Sequence, residues 1–195
     1  YNWGDTSLLN QYTELRLAGA QAIILIANEA EGAILVKEIA GLPEIQRLPV
    51  ISHWGVTGGD FAAMAGDSLR KVDFSVIQTF SFVGLNSPAS RRVLLALKTK
   101  YLINAADQVK SPVGVAHAYD LTHLLAKAVN RAGSTDRAKI RDALEKLGTH
   151  DGLVQRYPKP FTTDRHDALS ADNVFFARYT ADDKLIPISL APRKH

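Results

Sequence analysis

Apolar positions along this chain recur in two rhythms that alternate from the first residues onward. Thr6 and Ser7 offer helix N-caps. Leu8, Tyr12 and Leu15 then fall at helical spacing, and Gly19 ends the segment. Ala22-Ile23-Ile24-Leu25-Ile26 follows as an unbroken apolar run, the pattern of a short strand buried on both faces of a parallel sheet. The rhythm then repeats: a helix over 31–40, a strand through Val50-Ile51-Ser52, a short helix over 61–65 and a longer strand from Phe74 to Phe82. Such βαβ alternation predicts a parallel sheet with right-handed crossovers.

The pattern changes at Gly84. Ser87-Pro88 opens a helix with Leu94, Leu97 and Tyr101 on one face, proline being well tolerated at a first helical position. A second helix is predicted from Gly114 to Arg131, with Val115, Ala118, Thr122, Leu125 and Val129 as its buried stripe. Ser134, Thr135 and Asp136 cap a third, carrying Ile140, Ala143, Leu144 and Leu147 until Gly148 stops it. After a polar, proline-bearing loop, Val174-Phe175-Phe176 and Leu185-Ile186-Pro187-Ile188 read as a late strand pair. Three successive helices after a βαβ run suggest that the chain leaves one lobe for another. The turns after the first two strands, Asn28-Glu29-Ala30-Glu31 and Ser52-His53-Trp54-Gly55, fall on one rim, where open α/β sheets bind ligands.

Composition narrows the function classes. The 195 residues carry 23 basic and 20 acidic side chains, a net charge of +3 without any long basic run, so a nucleic-acid partner is not indicated. Cysteine is absent, which removes disulfides, thiolate metal sites and cysteine nucleophiles. No apolar stretch approaches the ~20 residues of a membrane span. Tyr1-Asn2-Trp3-Gly4-Asp5 has neither a basic start nor a signal core, and is read as an internal cut. There is no G-x-S-x-G, H-E-x-x-H, P-loop or G-x-G-x-x-G, so nothing nominates a catalytic residue or cofactor.

Several phrases, in their order, resemble one family. They are Leu17-Ala18-Gly19-Ala20-Gln21-Ala22-Ile23, Leu48-Pro49-Val50-Ile51-Ser52-His53-Trp54-Gly55 and Gln78-Thr79-Phe80-Ser81-Phe82. Further on come Ala118-Tyr119-Asp120-Leu121, Arg131-Ala132-Gly133-Ser134 and Ile140-Arg141-Asp142-Ala143-Leu144. Together they are similar to the branched-chain amino acid and amide receptors of ABC transporters, of the type I periplasmic binding fold. The resemblance covers the chain but only the second half of such a receptor. It implies incomplete α/β, parallel-sheet Rossmann-like lobes: residues 1–82 in the second lobe, 83–179 in the first, and 180–195 as a possible crossover and tail. It also implies a periplasmic or extracytoplasmic location, a small-molecule ligand, a membrane permease as partner and a missing first half. A sheet lacking its companions has open edges, so the segment is expected not to be a stable solitary monomer.

By the same resemblance, ligand contacts fall on Asn28, Glu29, His53 and Trp54, with Val113 and Tyr119 facing the interlobe side. Independently, an indole, an imidazole and amide or carboxylate groups on one rim suit a specific pocket. The alternatives are that Trp54 and Tyr119 are core aromatics and that His53 satisfies a backbone carbonyl. Leucine-type receptors have an acidic residue near the place of Trp54. An aromatic there favours a ring or apolar body, and Glu29 is left to meet any ammonium, so an aromatic acid or amide rises against an α-amino acid. Thr57-Gly58-Gly59-Asp60 reads first as a turn into the next helix. Gln78, Thr79 and Phe80 are either the end of a buried strand or a hinge. His117 and Asp120 share a helical face, but His123 is turned about 120° away, which argues against a metal site. His150-Asp151 and His166-Asp167 are expected in solvated loops. Rival classes are a ligand-sensing domain of a signalling protein and, behind it, a hydrolytic enzyme.

Overall fold

The structure is a computed structural model that describes residues 1–188; residues 189–195, within the expected tail, lie outside the described residues. Its first region is built as the alternation predicts. Helix α1 (Leu9–Leu17), strand β1 (Ile23–Leu25), helix α2 (Glu29–Ala40), strand β2 (Val50–Ser52), helix α3 (Phe61–Ala65) and strand β3 (Phe74–Gln78) follow in order. β1 pairs with β2 and β2 with β3, both parallel, with Ile24 opposite Ile51 and Ile51 opposite Ser75. One core lies between the helices and one sheet face: Val36, Ile39, Val50, Phe61, Phe74 and Val76 are all buried in it. Phe61 stacks on Phe74 at 5.0 Å between ring centroids.

Three features of this region depart from expectation. The apolar run of β1 is buried on one face only: Ile23 and Leu25 point into the core, while Ile24 is 76% and Ile26 71% exposed. The β3 strand stops at Gln78 rather than Phe82, because Phe80 and Phe82 turn away to enter a second core. The late strands β6 (Phe175–Tyr179) and β7 (Leu185–Pro187) extend the same sheet, in the order β1-β2-β3-β6-β7, with β6 antiparallel to β3. Phe175–Tyr179 thus pairs within the sheet of the first region rather than with the helices that precede it.

The second region is helical. α4 (Pro88–Tyr101) starts where Ser87 Oγ accepts from the Ser90 amide at 3.1 Å. α5 (Pro112–Ala132) and α6 (Arg137–Leu144) follow, the latter capped by the Asp136 carboxylate on the Lys139 amide at 3.0 Å. A small hairpin, β4 (His150–Asp151) and β5 (Arg156–Tyr157), closes the unit. Its core gathers Phe80, Phe82, Val93, Val109, Val113, Ala116 and Leu153.

The buried stripe of α5 differs from the predicted one. Val113, Ala116, Asp120, Leu124 and Ala128 are buried, whereas Ala118, Leu121, Thr122 and Leu125 are exposed. The helix is apolar on two faces, and the chain covers only one. Asp120 sits on the covered face because its carboxylate is fully engaged. It accepts from the amides of Leu153 and Val154 and from the Tyr157 hydroxyl, the last two at 2.9 Å. Gly152 makes that approach possible: a Cβ there would lie 2.5 Å from Asp120 Oδ2. Hydrogen bonding to the carboxylate and burial raise the Tyr157 hydroxyl far above its ordinary pKa, burial first.

Candidate functional site

The β1 and β2 turns do meet on one rim. Asn28 is the N-cap residue of α2, without a capping bond from its side chain. Its Oδ1 and His53 Nδ1 both close on Gly55, at 3.4 and 3.3 Å from where a Cβ would stand. That Cβ would also be 2.6 Å from the Ala27 carbonyl oxygen, so only glycine lets the two turns approach this closely. His53 Nδ1 accepts from the Gly55 amide at 3.0 Å, a bond to an N–H rather than to the carbonyl considered from sequence. The proton of the neutral ring is then on Nε2. Burial holds the His53 pKa below its ordinary value.

From there an aromatic row crosses to the helical region. The His53 and Trp54 rings are 3.9 Å apart, and Trp54 meets His117 of α5 edge-on at 6.3 Å. Trp54 is half-buried and packs against both cores, so it is both a core aromatic and a wall of the site. His117 Nε2 and Thr79 Oγ1 are 3.0 Å apart, tying α5 to the segment just after β3. Burial outweighs nearby Asp120 and lowers the His117 pKa. The two regions are also joined by the Ser111 amide donating to the Thr57 carbonyl at 2.7 Å and by the Lys110–Asp60 ion pair.

Between these elements lies a hollow of about 500 Å³. Trp54 and Thr79 form one side, His117, Leu121 and Leu124 of α5 another, and Phe161 with Leu169 the third. A smaller hollow of about 330 Å³ lies beside the Thr57–Asp60 turn, between it, Phe82 and Tyr179. It contains none of the aromatic row.

The sequence-predicted residues therefore divide. Asn28, His53 and Trp54 cluster, and Trp54 alone of them lines the large hollow. Glu29 folds instead against the neighbouring turn, its Cγ 2.6 Å from a Cβ position at Gly59, so the glycines of that turn make room for Glu29. Val113 has no exposed surface and is a core residue, contrary to the expectation that it faces the interlobe side. Tyr119 lies along the α4–α5 groove with Val93, Leu97 and Tyr101, away from Trp54, again contrary to that expectation. Gln78 is 1% exposed at the end of β3, Thr79 touches His117, and Phe80 belongs to the second core, so the chain changes region within these three residues. His117 and Asp120 entered the sequence reading only as a metal question. Their shared face is the signal that they meet one hollow. Among the described residues, no group of three or more His, Cys, Asp or Glu is placed to hold a metal ion. Among them, no helix is long and apolar enough to cross a membrane. His150 is not in a solvated loop: it is 6% exposed on β4 beneath α5.

Comparison with known proteins places this geometry. A family model described as periplasmic binding protein matches residues 1–184. Among curated protein sequences none matches. The solved structure of a type 1 periplasmic binding protein from Bordetella pertussis Tohama I superposes with a TM-score of 0.76 at 22% identity, over 97% of this chain and 51% of that one. A leucine-binding protein from Thermotoga maritima gives 0.73 at 17% identity, over 98% and 51%. A solute-binding protein of an ABC transporter from R. palustris, in complex with benzoate, gives 0.68 at 12% identity, over 96% and 48%. The chain thus spans about half the length of the structures it resembles. With a mixed α/β build, a mostly parallel sheet and a family match over nearly its whole length, this chain belongs to the periplasmic binding protein family and carries about half of its type I fold.

Proposed function

We propose that the chain forms the second half of an extracytoplasmic receptor that captures a small organic solute by closure of two lobes and delivers it to a membrane permease of an ABC transporter. It performs no chemistry on that solute. The observation that carries this reading is the hollow of about 500 Å³, whose walls come from both regions: Trp54 on the turn after β2, and His117, Leu121 and Leu124 on α5. Its size is that of small-molecule sites, about 300–1,000 Å³. A ligand touching both regions binds better when they close, and so shifts an existing open–closed equilibrium. Gln78, Thr79 and Phe80 are the hinge in this reading, and Asn28, Glu29 and His53 shape the rim.

The bare faces support a missing first half. Ile24 and Ile26 on β1, and Leu121 and Leu125 on α5, are exposed apolar side chains on two separate elements. Exposed apolar surface of this kind marks contact with another element. The test is a thermal-shift and calorimetric screen of the complete two-lobed receptor against amino acids, amides and aromatic acids. Spin labels on α2 and α6 report the interlobe distance. Binding with a shortened distance is the expected result; turnover of a bound solute, or binding without any change of distance, overturns the reading.

A further inference from the structure

Helix α4 is one-sided in charge. It holds Arg91, Arg92, Lys98 and Lys100 and no acidic side chain. Arg91 donates to the Asn86 backbone carbonyl and side-chain oxygen at 2.9 and 3.0 Å. Among the described residues no carboxylate pairs with Arg92, Lys98 or Lys100. The surrounding region shares the bias: residues 83–160 carry 13 basic and 6 acidic side chains, against 5 and 9 over residues 1–82. A face of one sign speeds encounter with a partner of the other and suppresses partners of the same sign.

The helix also carries apolar side chains that its own chain leaves bare. Ala89, Val93, Leu94 and Leu97 pack on the helical core, and Val93, Leu97 and Tyr101 border a groove with Tyr119 of α5. At 3.6 residues per turn, Arg91, Leu95, Lys98 and Leu102 form a separate row, turned roughly 130° from that packed side. Leu95 is 65% and Leu102 79% exposed. Leu102 has a φ of 59° directly after the helix, the left-handed conformation for which glycine is favoured. This large apolar side chain costs backbone energy and gains no burial within the chain, a break of local rules that points to contact with another molecule.

We infer that the Arg91–Leu95–Lys98–Leu102 row docks an acidic segment of the membrane permease, apolar side chains of that segment meeting the two leucines and its carboxylates meeting the flanking cations. This inference rests on the receptor reading above and adds the face by which the receptor meets its permease. A second copy of the chain fits poorly, because four cations without a carboxylate repel their own image. An anionic membrane surface fits poorly too: an interfacial helix needs a broad apolar face, and here single leucines alternate with charges.

The experiment titrates the complete receptor onto its permease held in phosphatidylcholine vesicles, with solute binding followed separately by calorimetry. Leu95→Asp and the double change Arg91→Glu with Lys98→Glu should each weaken permease binding roughly tenfold, leaving solute affinity and the melting curve unchanged. Leu102→Gly should weaken docking while raising the melting temperature, since glycine accepts the left-handed backbone. Added salt should weaken docking of the unaltered receptor more than that of the double variant. Unchanged docking by Leu95→Asp and the double variant overturns the inference. Equal binding to permease-free phosphatidylglycerol vesicles overturns it in favour of the membrane. A lowered melting curve in Leu95→Asp overturns it by placing the row against the receptor's own first half, and self-association lost in that variant with docking intact assigns the row to a second copy. The receptor reading fails separately, if the unaltered protein binds and closes on no solute.

Discussion

The two regions of the molecule are stabilised in different ways, although they share one chain. The sheet region has a continuous core between α1–α3 and one face of β1–β3, dominated by Val36, Ile39, Val50, Phe61 and Val76. The helical region has a smaller core around Phe80, Phe82 and Val113, and supplements it with a buried polar knot at Asp120. Apolar burial is proportional to area and forgiving of small shifts, whereas a buried carboxylate demands all its donors at once. The sheet region should therefore tolerate polar change poorly but shape change moderately, and the helical region the reverse at its knot. Each also exposes an apolar face, Ile24 with Ile26 in one and Leu121 with Leu125 in the other, which the proposed first half would cover.

The strongest way to break this comparison is to truncate one phenylalanine in each core. Phe61→Ala and Phe82→Ala each remove a fully packed ring and should cost about 3–5 kcal/mol. Hydrogen exchange should show loss of protection confined to β1–β3 for the first and to α4–α5 for the second. Global loss in both cases would mean that the regions unfold as a single unit. Next in size is the polar knot. Gly152→Ala drives a methyl against Asp120 Oδ2 and the Tyr157 ring, 2.5 and 2.7 Å from the new Cβ, and should cost about 2 kcal/mol by displacing a buried acceptor from its donors. Urea denaturation measures it. A smaller effect is expected at the bare faces. Ile24→Lys should cost under about 0.5 kcal/mol in the 195-residue chain alone, where the side chain is solvated, and reduce its self-association in light scattering. In the complete receptor the same change should cost more, since the proposed first half would cover that face. Equal costs in the two settings would refute a covering first half.

Local signals made most of the sheet region legible, and the difficulty lay in what covers what. The run 22–26 announces a strand, but nothing in it says how many of its faces a helical layer covers, and here Ile23 and Leu25 are covered while Ile24 is not. The same ambiguity of faces holds for α5. Val115, Ala118, Thr122 and Leu125 form a genuine apolar stripe, yet the chain buries the adjacent stripe through Val113, Ala116 and Leu124, since Phe82 and Leu153 happen to lie there. The role of Asp120 was not readable, since nothing local shows that three donors from the 153–157 segment converge on it. The rim of the site was readable because strand ends fix where turns go. Asn28, His53 and Trp54 meet as expected, while Glu29 departs toward Gly59 because the glycines there leave space for its side chain.

The finest contrast between the regions is with acid. Among the described residues the sheet core holds no buried histidine, whereas His150 is 6% exposed under α5, with Lys127 Nζ 2.9 Å from its Nδ1 and its Nε2 buried without a partner. Lys127 donates to Nδ1, so the neutral ring carries its proton on Nε2, and a second proton would put two cations in contact. Burial first and the Lys127 charge second hold the His150 pKa below its ordinary value; Asp120 and Asp151 oppose this and His123 adds to it. A group whose folded pKa is depressed relative to an unfolded value of about 6.5 contributes stability that is complete above that pH and declines as pH falls through and below it. The helical region, with both His150 and His117 depressed, should therefore lose more protection between pH 7 and pH 5 than the β1–β3 amides, where His53 alone is depressed. His150→Phe, which keeps a flat ring beside Tyr157, should shallow that loss. A residual slope is expected from His117, whose pKa is also lowered and which faces the same helix bundle. An unchanged pH profile in His150→Phe would show that the acid sensitivity lies elsewhere, at His53 or His117 beside the solute hollow. The two regions would then be coupled through the site rather than stabilised independently.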